Sequence, residues 1–357
     1  MVRGRTGCIG RPTSTTITRG KFVLAWVGES WLISGMKSLV RAFGLFAVAC
    51  VSLSATCTAF GAEVDPFDQS KVPLEVDSAD AKGTKIVLLA GTPSNKSGQH
   101  EYFAGCAVMM ELLKQTKGVH VVMARDGWPK NEAIFKNAKA VVYFGDGGGK
   151  QPFLEPAKWK IIEGLMKEKA GLVLLHQGVD FPLGPEKEIM AWMGGVFLKD
   201  KGCRGHWDME FPEIGTHPVL GGVKPFKLVG DGWLYNMHFA DKGVTPLLSG
   251  VVPDKSRTNP DAKKYIGRAE VMAWAYQRPE GGRGFAFTGC DLHKSWSDEN
   301  QRKLVVNGIL WSAGLEIPKG GAPVVFNDAD LQKNLDKKET PAPAVKKAEP
   351  KKATEKK

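Results

Sequence analysis

Hydrophobic positions along this chain fall into two kinds of run that alternate. The first kind is short and unbroken: TKIVLLAG (84–91), VHVVMAR (119–125), AKAVVYFGDGGG (138–149), GLVLLHQG (171–178) and GRGFAFTGCDLH (282–293). Continuous apolar runs of this length predict strands covered on both faces. The second kind, CAVMMELLKQT, EPAKWKIIEGLMKEKA and NQRKLVVNGILWSAG, has helical length. Its middle member places Trp159, Ile162, Leu165 and Met166 on one face. Strands alternating with helices predict an α/β fold: an open, mostly parallel, flavodoxin-like sheet, wound right-handedly, with helices on both faces. Shorter strand-like runs (CRGHWDMEFP, FKLVG, TPLLSGVV and EVMAWAYQ) make the second half an elaborated part of one domain over 84–316.

Charge changes the picture only at the ends. The formal net charge is +11, but residues 1–41 carry +6 of it and 337–357 carry +5, which leaves 42–336 neutral. A folded region without excess positive charge argues against nucleic acid as a partner. Met36-Lys37 and Arg41, then AFGLFAVACVSLSATCTAF and GAE, give 36–62 the order of a secretory signal peptide. No long apolar helix follows to span a membrane, so a periplasmic or extracellular location is expected. Residues 1–35 then read as an upstream extension ahead of the true start at Met36. Residues 63–83 form a polar leader, and 317–357, ending in Lys/Ala/Pro/Glu repeats, read as a disordered tail. Past the leader only Cys106, Cys203 and Cys290 remain, too widely spaced for a zinc ribbon or a disulfide scaffold. Each is expected to be a small buried side chain.

In an open parallel sheet, ligands bind beyond the carboxyl ends of the strands. That rule selects the loop with His100 and Glu101, the turn Asp146–Gly149, the corner His176-Gln177-Gly178 and the loop with Asp291, His293 and Trp296. His176 ends an apolar strand, with a glycine two residues on, in the position where hydrolases expose a nucleophile. No serine or cysteine stands there, so the corner offers an imidazole as acid, base or ligand. The catalytic candidates are therefore His176, His293 and His100. Together with His206 of GHWD, these histidines form a candidate site for zinc or another divalent metal; no nucleotide cofactor is expected. His217, ahead of a proline, is expected to be structural. Glu101, Gln177, Trp207, Asp231, Tyr235 and Trp296 are candidates for binding a small sugar, the aromatics by stacking on its apolar face.

The ordered pieces GQHEYFAGC, GLVLLHQG, GHWD, HPVLGGVKPF with DGWLYNM, and GRGFAFTGCDLHKSW with NGILWSAG run from about Lys85 to Gly314. Over that range the chain resembles the ThuA-like (trehalose utilisation) family, whose fold is that of class I glutamine amidotransferases. The resemblance implies a role in disaccharide or keto-sugar catabolism. The elbow matching His176 carries the catalytic cysteine in the amidotransferases, so glutaminase activity is not implied here. Related sequences tend to have Asp-Glu where this one has Asp231-Gly232, and often a histidine before the proline of GGGKQP. Those departures leave open a non-catalytic carbohydrate-binding protein beside the enzyme.

Overall fold

Seven strands form the central sheet of the computed structural model, which describes residues 65–78 and 82–338. In chain order the elements are β1 (Thr84–Ala90), α1 (Tyr102–Leu113), β2 (Val119–Ala124), β3 (Ala140–Phe144), α2 (Pro156–Lys167) and β4 (Gly171–Leu175). Then come α3 (Glu186–Met193), β5 (Gly195–Val196), β6 (Cys203–Phe211), β7 (Phe226–Tyr235), β8 (His238–Phe239) and β9 (Val244–Val251). α4 (Pro260–Lys263), β10 (Ala269–Gln277), β11 (Arg283–Phe287) and α5 (Glu299–Ser312) complete the set. The strand order is β2-β1-β3-β4-β11-β10-β9. The first five are parallel, and β10 runs antiparallel to both of its neighbours. The expected open α/β sheet is present, with an antiparallel edge added by the second half of the chain.

Along β1 the side chains alternate between two cores: Ile86, Leu88 and Ala90 pack with α1 and α5, and Val87 and Leu89 with α2 and α3. Both faces are covered, which is why the run is apolar without a break. β6 and β7 leave the sheet to form a separate antiparallel ribbon, and β5 pairs with β8. The winding reverses beside β1, with β2 on one flank and β3 on the other, so a crevice opens above the β1 and β3 ends.

The packed region is wider than 84–316. Residues 317–338 are ordered, a correction to the disordered tail expected from composition: Ala322, Val324, Leu331 and Asp336 are buried. Val72 and Leu74 of the polar leader join them against the same core. The physical reason lies in α1, nearly all of whose residues are buried. A helix apolar on every side must be covered on every side, and the two flanking segments cover the side that the sheet and α5 do not. The signal peptide at 36–62, the extension 1–35 and the Lys-rich end at 339–357 lie outside the described residues.

Candidate functional site

Four loops at the carboxyl ends of β1, β3, β4 and β11 build the site, and backbone hydrogen bonds fix two of them together. His100 N–H donates to Asp291 O (3.0 Å), His293 N–H donates to Gly98 O (2.9 Å), and Gln99 bridges to Leu292. The β3 and β4 loops approach so closely that any side chain at Gly147 would collide with the Gln177 carbonyl. His100, His176 and Cys290 all have positive φ (50°, 52° and 74°). Such conformations cost a non-glycine residue energy and persist where the surroundings impose them, often at functional sites.

The strained residues bring three ligand-type atoms to one point. His100 Nε2 lies 3.1 Å from His176 Nε2 and 3.1 Å from Asp291 Oδ1, and His176 Nε2 lies 3.6 Å from Asp291 Oδ1. All three residues are buried. The far nitrogen of each ring is committed elsewhere. His176 Nδ1–H donates to the Thr288 carbonyl (3.0 Å). The Ser94 hydroxyl donates to Asp146 Oδ1 (2.8 Å), so Ser94 Oγ is left to accept from His100 Nδ1–H (2.7 Å); Asp146 Oδ1 itself is 3.1 Å from that nitrogen. Tyr102 O–H and Lys150 Nζ–H hold Asp146 in turn, each at 2.7 Å.

Burial opposes a charge on His100, but hydrogen bonds to Asp146 and Asp291 outweigh it and raise the pKa above 6.5. His176 is driven the other way, down to about 4, by burial and by the neighbouring His100. Burial would raise Asp291, yet the imidazoles around it hold its carboxyl well below the carboxylate range. Charge is thus favoured on His100 and disfavoured on His176.

These residues fit a divalent cation. Zinc–ligand bonds of about 2.0–2.2 Å place the corners of a tetrahedron roughly 3.3–3.6 Å apart, close to the observed edges. Asp291 Oδ1 is buried without a well-formed hydrogen bond. Both rings have the outer-shell partner, a carbonyl or a hydroxyl–carboxylate pair, that orients a ligating imidazole. His100 Nε2, His176 Nε2 and Asp291 Oδ1 are the atoms that would hold the ion.

His206 reaches the other side of the same carboxylate, Nε2–H donating to Asp291 Oδ2 (2.6 Å), with its own side chain about half exposed. Gln99 also donates to Asp291 Oδ2 (3.0 Å). His293 does not join them. Two residues beyond Asp291 the chain enters a short 3₁₀ turn (His293–Ser297), and the ring is buried against the C-terminal segment. Burial lowers its pKa to about 4.

The proposed sugar contacts divide similarly. Gln177 Nε2 lies 3.3 Å from His100 Nε2 and lines the adjoining cavity. Glu101 faces away, accepting from Gly98 N–H and Asp336 N–H (2.8 Å each) and pairing with Lys338. Asp231 is fully buried, its Oδ1 accepting from Leu292 N–H (3.0 Å), and so shapes the Asp291 loop from beneath. Tyr235 and Trp296 are core side chains, as are Trp233 and Trp274; only Trp207 is half-exposed.

The two sequence departures also have positions. A Cβ at Gly232 would lie 2.6 Å from Asp291 Oδ2, so Asp291 occupies the space a side chain there would need. The carboxylate beside the histidines comes from β11 instead of β7. Gln151, before Pro152, is buried and donates to the Gly178 (2.6 Å) and Asp180 (3.1 Å) carbonyls, which braces the elbow. Beside the cluster opens a cavity of about 700 Å³ that contains Asp146, Gln177, Phe181, Phe197 and Arg204, within the size range of small-molecule sites.

The family model described as trehalose utilisation, ThuA, matches residues 87–312. Among solved structures, a ThuA-like protein from Bacteroides uniformis is 16% identical, with a TM-score of 0.50 over 71% of this chain and 99% of that one. A ThuA-like protein from Parabacteroides merdae is 14% identical, with a TM-score of 0.48 over 71% and 100%. The glutaminase domain of Trypanosoma brucei CTPS with bound acivicin is 11% identical, with a TM-score of 0.35 over 68% and 98%. No curated protein matches the sequence. The first of these likenesses is one of fold.

Proposed function

The chain belongs to the trehalose utilisation (ThuA) family, and from that premise we propose that it binds a saccharide in the cavity beside His100, His176 and Asp291 and acts on it by histidine chemistry assisted by a divalent cation. The observation that carries this reading is the convergence of two imidazole nitrogens and a carboxylate oxygen within 3.1–3.6 Å, while the far nitrogen of each ring is committed elsewhere. A divalent cation bound there would supply a Lewis acid for a carbonyl or hydroxyl oxygen of the sugar.

The chain's own residues do the rest. His206, at the open side of Asp291, is placed to take and return a proton, with Asp291 orienting its ring as a base is oriented by a third group. His176 stays neutral in its buried corner, a ligand rather than the proton carrier that its place in the sequence suggests. Gln177, at the cavity wall, offers an amide to a sugar hydroxyl. No thiol stands at the elbow, so the covalent chemistry of the amidotransferases has no nucleophile here.

The test is turnover of a keto-glycoside and a disaccharide by the metal-supplemented wild type, His176→Ala and His206→Ala. The expected result is product from the wild type, about 100-fold or greater loss in both variants, and metal content unchanged in His206→Ala. Equal turnover by His176→Ala removes the cluster from the reaction. Saturable sugar binding without product, even with added metal, makes the protein a non-catalytic binder.

A second reading has its own observation: His100 lies 3.1 Å from a carboxylate oxygen of both Asp146 and Asp291, whose hydrogen bonds raise its pKa. A proton there would take the place of the metal as the electrophile. Purified protein that lacks metal, yet turns substrate over undiminished after chelation, would decide for it. Export rests on the 36–62 leader, and N-terminal sequencing of the mature protein is expected to begin near Glu63.

A further inference from the structure

The cavity beside the cluster is lined by more cations than carboxylates. Asp146 is already engaged by His100, Ser94, Tyr102 and Lys150, and Asp180 accepts from Arg204 Nη2–H (2.8 Å). Facing them are three cations. Arg204 spends one amino group on Asp180, while its guanidinium lies over the Phe197 ring at 5.0 Å. A guanidinium held by Asp180 and by the face of Phe197 presents its remaining N–H groups to the oxygens of a carboxylate or phosphate. Lys199 lines the same wall and enters no ion pair among the described residues. Lys150, paired to Asp146, is mostly exposed at the opposite lip. The lining thus sets three cations against two carboxylates, Asp146 and Asp180, each already paired with one of them.

Strand geometry sets the distance between this wall and the reactive cluster. Arg204 and His206 are two residues apart on the same face of β6, so their side chains leave the strand about 7 Å from each other. That separation is the span of a single sugar ring. We infer that the cavity selects a saccharide bearing an anionic group, a carboxylate or a phosphate, which Arg204 and Lys199 receive while the neighbouring ring carbons face His206. This inference rests on the saccharide reading above and adds the charge of the substrate.

Calorimetry on the full chain, with zinc present, tests it using glucuronate, glucose 6-phosphate, glucose, acetate and inorganic phosphate. Glucuronate or glucose 6-phosphate is expected to bind about tenfold or more tightly than glucose; which of the two is stronger identifies carboxylate or phosphate. Arg204→Gln and the surface variant Lys199→Gln should each reduce that preference, and Arg204→Lys should restore part of it. Glucose binding as tightly as both anionic sugars overturns the inference and leaves the saccharide reading standing. Acetate or phosphate binding as tightly as the anionic sugars overturns it as well, since the wall is then a simple cation patch. No binding by any sugar overturns both readings.

Discussion

Asp291 joins the candidate site at a single carboxylate: Oδ1 faces His100 and His176, and Oδ2 accepts from His206 and Gln99. Replacing it with asparagine keeps the shape and removes the charge, so zinc affinity is expected to fall by more than the 10- to 100-fold typical of losing an outer-shell partner. Asp146→Asn, one step removed through His100 Nδ1, should cost within that 10- to 100-fold range, read by calorimetry. Gly232→Ala is the more discriminating change. The added methyl meets Asp291 within contact distance, so metal binding should weaken about tenfold or more although no ligand is lost. Unchanged affinity in that variant would mean that the Asp291 position does not matter. At this scale the sequence carried much of the site. His100, His176 and His206 were legible from strand ends and short motifs, and they converge. In their shared loop the sequence favours His293 and passes over Asp291, and the structure reverses that choice, because the turn at Cys290 that aims one inward and the other away is a backbone property. Tyr235 and Trp296 belong to the core, which their sequence does not reveal because a large ring in the core and one in a pocket look alike there.

The elements show where composition misleads. The strands of the parallel sheet follow their apolar runs closely, since burial on both faces leaves an unmistakable pattern. The segment 317–338 is polar in aggregate, yet it places a few apolar side chains where α1 needs cover. Leu331→Ala should therefore lower unfolding stability by about 2 kcal/mol or more in denaturant titrations, whereas a truly disordered tail would show no change. Asp336 gives the same segment a pH signature. Burial, reinforced by Glu101, raises its carboxyl from 3.8 to about 6 against the Gln69 hydrogen bond. The folded state holds this proton more tightly than the unfolded one, so this group's contribution to stability is lost as pH rises from about 4 to 6. Asp336→Asn, which keeps the Oδ1 acceptor, should be the more stable protein at pH 7 by on the order of 2 kcal/mol, with the gap closing near pH 4. A gap independent of pH would contradict the shift.

At the scale of the molecule, a wound sheet brings residues from four distant loops to one rim, and a neutral folded region carries a charged cavity at that rim. The general position of the site was foreseeable from topology, because the winding reversal beside β1 opens the crevice whatever the side chains are. The exact donor set was not, since it depends on loops that zip together only after the sheet forms. The most direct test is a calorimetric titration of zinc into metal-stripped protein, wild type beside His100→Ala and His176→Ala. The account predicts one ion per chain in the wild type, a rise in melting temperature on loading, and loss of both in either variant. A wild type that takes up no zinc, or variants that bind it equally well, would contradict the claim that these imidazoles and Asp291 form a metal centre.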